Sequence, residues 1–134
     1  MTPETESPLA QSRIAIIGAG VMAESIVSGL IANNTMNPTQ IVASHPRQDR
    51  RTQLSAKHGI EVVESNAEAA SGADLILLTI KPQVMTAVMA ELSAVLQAGQ
   101  VVISIAAGTT VKQLKNGLQH SAIVRVMPNT PAQV

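Results

Sequence analysis

Phe, Tyr, Trp and Cys are all absent from this 134-residue sequence. Without aromatic rings there is no base-stacking platform of the kind that single-stranded nucleic-acid binders use. Without cysteine there is no disulfide, no thiolate nucleophile and no Cys-based metal site. Excess charge is lacking too, because 9 Lys and Arg balance 9 Asp and Glu. No electrostatic footprint therefore points to DNA or to an anionic membrane. No run approaches the ~18 apolar residues that a membrane helix needs. Residues 1–11 lack the basic start and apolar stretch of a signal peptide, so a cytoplasmic location is expected. His45, His58 and His120 are scattered, and no His–carboxylate pair has helical ligand spacing; no metal is expected. Ser25, Ser28 and Ser104 have no evident base partner, which leaves serine nucleophile chemistry unsupported.

What remains is aliphatic. Hydrophobic residues make up 46% and charged residues 13%, a balance that excludes disorder. The length suits one domain. Residues 1–12 read as a disordered or extended lead-in and residues 13–134 as the domain. A core of Ile, Leu, Val, Ala and Met favours central strands buried on both faces.

The pattern predicts alternating strands and helices. Strands are expected at Arg13–Ile17, Gln40–Ser44, Glu61–Val63, Asp74–Ile80, Gln100–Ile105 and Ala122–Val126. Between them, helices are expected over Val21–Ala32, with apolar Val21, Ile26, Val27, Leu30 and Ile31, and over Asp49–Lys57, mostly solvated and ended by Gly59. Further helices run over Asn66–Ser71, with Asn66 as cap and Gly72 as stop, and from Pro82 to about Leu96. A last helix, capped by Thr109 or Thr110, reaches Leu118. Closely spaced prolines exclude a helix over Met127–Pro131. This alternation implies an α/β fold, a doubly wound and mostly parallel sheet of the Rossmann type.

Gly18-Ala19-Gly20-Val21-Met22-Ala23 follows the first strand and opens the first helix. Gly18 permits a tight turn, Gly20 lets the backbone approach a pyrophosphate, and Ala23 is small enough for close helix–sheet packing. The helix start offers free N–H groups and a positive dipole end. Together these predict a dinucleotide site. NAD-type sites carry an acidic residue at the end of the second strand. Here that strand runs into Ser44-His45-Pro46-Arg47, with no acid. Ser44, His45 and Arg47 offer donors and positive charge for a 2′-phosphate, so NADP(H) is expected to be preferred, with NAD(H) possible. Arg50 and Arg51 read as a solvated helix face. His58 and His120 read as caps or exposed residues, and Met22, Met85 and Met89 as core or helix packing.

Ligands of such sheets lie outside the carboxyl ends of the strands. Thr79-Ile80-Lys81-Pro82, Ile105-Ala106-Ala107-Gly108 and Met127-Pro128-Asn129-Thr130-Pro131 fall there. Lys81 reads equally as a phosphate or ribose contact and as a helix-end cation. Asn129 and Thr130, between prolines, make a stiff polar loop at the same rim.

Gly18 to Glu24, Lys81-Pro82-Gln83, Ser104 to Gly108 and, most specifically, Arg125-Val126-Met127-Pro128-Asn129-Thr130-Pro131-Ala132 resemble pyrroline-5-carboxylate reductase. The resemblance runs from about Ile14 to Val134. It implies reduction of the cyclic imine 1-pyrroline-5-carboxylate to L-proline with hydride from NADPH or NADH. By motif, Ile17, Gly18, Ala19, Gly20, Val21 and Met22 would meet the pyrophosphate. His45 and Arg47 would lie at the adenosine end, and Asn66 would contact its ribose. Thr79, Ile80, Lys81, Pro82, Ile105, Ala106 and Ala107 would line the ribose and nicotinamide side. Asn129 and Thr130 would flank the nicotinamide on the substrate side; no catalytic acid is assigned. The family continues with a helical domain that forms homo-oligomers and supplies much of the substrate site. The expectation is therefore a cofactor-binding half, weakly active or inactive alone. The rival readings are a related imine or hydroxyacid reductase and a non-enzymatic NADP-sensing module.

Overall fold

The computed structural model describes residues 10–106 and 108–126. It contains six strands: β1 Ile14–Ile17, β2 Ile41–Ser44, β3 Glu61–Val63, β4 Leu75–Leu78, β5 Val101–Ser104 and β6 Ile123–Arg125. Five α-helices alternate with them: α1 Val21–Ala32, α2 Gln48–His58, α3 Asn66–Ala70, α4 Pro82–Ser93 and α5 Val111–Leu118. All strand pairs are parallel, in the order β3-β2-β1-β4-β5-β6. The expected doubly wound sheet is present.

Two apolar layers follow from the alternation of side chains along each strand. Ala15, Ile17, Ile76, Leu78 and Val102 point to one face, where Ala69 and Ala70 of α3, Met85, Val88 and Leu92 of α4, and Leu114 and Leu118 of α5 cover them. Ile14, Ile16, Ile41, Ala43 and Leu77 point to the other, under Ala23 and Val27 of α1 and Leu54 of α2. Strands covered on both faces need no polar side, and β1 and β2 are buried throughout.

Local chemistry sets most boundaries. Gly59 closes α2 in the left-handed conformation, φ +72°. Thr110, not Thr109, caps α5, its hydroxyl accepting from the Gln113 N–H while Gln113 reaches back. Ser65, not Asn66, caps α3, because the Ser65 hydroxyl accepts from Glu68. That frees the Asn66 side chain for other work. The helix opened by Pro82 stops at Ser93 rather than near Leu96. Residues 10–12 are tied to the domain by Gln40, whose side-chain amide donates to the carbonyls of Ala10 and Ser12. Among the described residues no helix is long and apolar enough to cross a membrane.

Candidate functional site

Reversal of strand order between β1 and β4 opens a crevice at their carboxyl ends, since the chain leaves them toward opposite edges. Thr79 stitches its floor: the hydroxyl contacts the carbonyls of Ile17 and Gly18 at 2.9 and 2.8 Å, and the N–H donates to Ile17. Gly18 lies at φ +88°, and a Cβ there would collide with the side chain of Ile80. Glycine is thus required at this position by both backbone and space. Gly20 differs, because a Cβ there would meet nothing within 4 Å. The glycine leaves room rather than relieving strain.

The amides of the loop are divided between two uses. Those of Gly18, Ala19 and Gly20 are engaged internally, with Ser44 Oγ, the Ser44 carbonyl and the Gly18 carbonyl. No side chain caps α1, so its first-turn N–H groups have no carbonyl or side-chain partner within the helix. These groups, beginning with Val21 and Met22, are the donors an anion can use, helped by the positive end of the helix. Val21 is 82% exposed and Met22 45%; for Met22 this corrects the expectation of core or helix packing.

A cleft of about 460 Å³ extends from this loop toward the ends of β2 and β3. It brings together Gly18, Gly20, Ser44, His45, Asn66, Thr79, Ile80 and Lys81 of the residues expected from sequence. Arg47, Pro82, Ile105 and Ala106 lie outside its lining. Ala107, Asn129 and Thr130 lie outside the described residues. Ile17 and Ala19 are buried in the core and contribute backbone rather than side chains. Pro46, Glu64 and an entire face of α4 (Val84, Ala87, Val88, Glu91) line the cleft without having been singled out in the sequence. Their i, i+3, i+4, i+7 spacing was available there, but it reads equally as ordinary core packing.

Ser44 is not a free phosphate donor. It is fully buried, its Oγ accepting from the Gly18 N–H at 3.2 Å and donating to Asn66 Oδ1 at 2.7 Å. The hydroxyl has one proton, which Asn66 takes. Asn66 in turn donates from Nδ2 to Glu91 Oε1 at 3.2 Å. His45 Nδ1 accepts from the Arg47 N–H at 3.0 Å, so the neutral ring carries its proton on Nε2. Partial burial, then the charges of Arg47 and Arg50, push the imidazole below its ordinary value. This favours the neutral imidazole, which offers a donor rather than a charge. Arg47 is largely exposed, 3.7 Å from Asp49. Lys81 caps the start of α4 with no ion pair among the described residues.

Behind the loop stands a network that periodicity does not reveal. Glu24, in the first turn of α1, meets Arg50 Nη2 at 3.0 Å, Lys57 Nζ at 2.9 Å and His58 Nε2 at 2.8 Å. Hydrogen bonds from His58, Lys57 and Arg50, in that order, hold its carboxyl down at about 2. Arg50, expected in solvent, has a side chain only 14% exposed and also donates to the carbonyls of Ala19 and Gly20. Arg51 donates to the carbonyls of His45 and Pro46 and so shapes the turn after β2. His58, expected exposed or capping, is 8% exposed at its side chain. His120 likewise turns inward, its Nε2 2.6 Å from the Gln100 carbonyl.

Among known proteins the chain is 46% identical to a pyrroline-5-carboxylate reductase of Pseudomonas aeruginosa over 121 residues, 90% of this chain and 44% of that protein. A pyrroline-5-carboxylate reductase structure from Coxiella burnetii superposes with a TM-score of 0.83 at 37% identity, covering 90% of this chain and 45% of that one. The NADP-bound pyrroline carboxylate reductase of Plasmodium falciparum shares the fold, with a TM-score of 0.76 at 24% identity, over 90% of this chain and 44% of that one. The chain thus spans just under half the length of the curated relatives it matches. Residues 13–108 match the family described as NADP oxidoreductase, coenzyme F420-dependent, and the chain belongs to that family.

Proposed function

We propose that this chain is the cofactor-binding part of a pyrroline-5-carboxylate reductase, an enzyme that reduces the cyclic imine to L-proline. The observation that carries the reading is 46% identity to the Pseudomonas aeruginosa reductase over 90% of the chain. The uncapped start of α1 above a cleft of about 460 Å³ supports it physically. A bound nicotinamide cofactor supplies hydride to the carbon–nitrogen double bond. The chain's own residues bind and orient. The first-turn amides of α1 hold the pyrophosphate, Lys81 adds charge at the same rim, and His45 and Arg47 receive the adenosine end. Ile105, Ala106 and Ala107 border the nicotinamide, with Asn129 and Thr130 on the substrate side.

NADP(H) is the preferred cofactor in this reading. Its support is the run Ser44-His45-Pro46-Arg47, which puts a cation and no acid after β2. Equal dissociation constants for NADPH and NADH would remove that preference. A further helical domain completes the substrate site and makes a homo-oligomer, in the cytoplasm. Turnover is tested by joining this sequence to the remaining part of the Pseudomonas aeruginosa relative and following NADPH oxidation with and without 1-pyrroline-5-carboxylate. Imine-dependent oxidation is expected. Oxidation with a ketoacid but not with the imine would favour a related reductase instead.

A further inference from the structure

The α4 side of the cleft carries chemistry that phosphate binding does not need. Val84, Ala87, Val88 and Glu91 all line it from one face of α4. From Val84 to Glu91 this face runs about 10 Å along the helix, longer than a purine. Its first three residues are apolar: Val84 is 46% exposed, while Val88 packs on the core beneath α4 and backs the wall. Pro46 lines the cleft from the turn after β2, adding an apolar residue from another element. Such a slot suits a flat heterocycle.

Glu91 closes this face with a carboxylate, and its position is fixed from below. The buried Ser44 hydroxyl donates to Asn66 Oδ1 at 2.7 Å, which sets the orientation of the Asn66 amide. The Asn66 Nδ2 must then point away from Ser44, and it donates to Glu91 Oε1 at 3.2 Å. One carboxylate oxygen is thus held by the scaffold, and Oε2 remains to accept from a ligand. A carboxylate only accepts, so at the exocyclic position it pairs with an amine and repels a carbonyl, and a ring with the carbonyl must shift to offer its N1–H instead.

We infer that Glu91, positioned by the Ser44–Asn66 relay, reads the exocyclic amine of the cofactor's adenine and makes this site discriminate adenine from hypoxanthine. The inference rests on the cofactor-site reading above. It concerns the exocyclic amine of the base, for which that reading names no partner.

The test is isothermal titration of this chain with NADPH and with its hypoxanthine analogue, which carries a carbonyl in place of the amine. The analogue is expected to bind roughly tenfold more weakly, the scale of one lost hydrogen bond to a charged group plus an oxygen–oxygen repulsion. Glu91→Gln offers both a donor and an acceptor, so the ratio of the two dissociation constants is expected to fall toward one. A residue that only supported the fold would weaken both ligands together and leave the ratio unchanged. Equal binding of the two cofactors by the wild-type chain would overturn the inference while leaving the cofactor site intact. A ratio unaltered by Glu91→Gln would overturn it as well. Binding of neither ligand would remove the cofactor-site reading and the inference together. The wild-type ratio decides the matter even if the variant fails to fold.

Discussion

The two walls of the cleft are built by opposite means. On the glycine-loop side, polar bonds join α1, α2 and the loop: Glu24 meets Arg50, Lys57 and His58, and Arg50 also grips two loop carbonyls. On the α4 side the wall is mostly apolar, and among the described residues one polar bond, Asn66 to Glu91, crosses from α3. The difference teaches where rigidity is needed. In the proposed reading the loop amides must be aimed at a pyrophosphate, and the loop is held from behind. A flat apolar surface binds by contact area and tolerates small shifts.

Breaking the rigid wall should cost most. Gly18→Val puts a branched side chain at φ +88° against Ile80. Backbone strain of about 1–3 kcal/mol and overpacking of a similar ~1–3 kcal/mol should add. Denaturant titration should show that loss, together with abolished NADPH binding.

The next largest effect is on acid stability. The Glu24 carboxyl, at about 2 in the fold against 4.5 ordinarily, is bound more tightly as the anion. Its contribution is full above the ordinary value and is lost as pH falls from about 4.5 through about 2. Glu24→Gln should remove that part of the pH dependence, lower the melting temperature at neutral pH and leave the difference smallest near pH 2. A pH-independent difference between variant and wild type would show that the network acts through packing alone.

Gly20→Ala sharpens the contrast between the two glycines. Nothing stands within 4 Å of the added methyl, so stability should change by no more than about 0.5 kcal/mol. NADPH affinity should nevertheless drop, by roughly tenfold, because the methyl occupies the space the pyrophosphate needs. Equal losses of stability and affinity would mean that Gly20, like Gly18, serves the fold.

The smallest effect is expected on the apolar wall. Val84→Ala trims an exposed side chain, so folding should be unaffected. NADPH should bind a few-fold more weakly, on the scale of about 0.8 kcal/mol per methylene removed from contact, with the salt dependence unchanged. Lys81→Met should do the reverse: a similar loss of affinity whose size shrinks at high salt.

Much of this architecture was legible along the chain. Short apolar strands, a glycine loop between strand and helix, and Gly59 closing α2 are all local signals, because each needs only neighbours within a turn, although the strand expected over Asp74–Ile80 is trimmed to Leu75–Leu78. The candidate site was legible where it is backbone, at Gly18, Gly20, Thr79 and Ile80. It was illegible where side chains answer one another across the fold. Ser44 read as a phosphate donor, yet strand pairing seats it against Ile17 at the base of the loop, where its proton goes to Asn66. Arg50 read as solvated and His58 as a cap or exposed residue, yet the docking of α2 on α1 turns both onto Glu24, 26 and 34 residues away in sequence. Glu91 carried no signal at all, since its partner Asn66 lies 25 residues back.

The sequence alone therefore determined the order of strands and helices, the buried aliphatic layers and the glycine loop. Local propensity, hydrophobic period and the φ freedom of glycine act over a few residues and leave their mark there. Only the tertiary structure decided which polar side chains face the cleft and which brace it from behind. That choice depends on which strands pair and which helix faces meet, and a polar residue's environment is fixed only once its distant partners arrive.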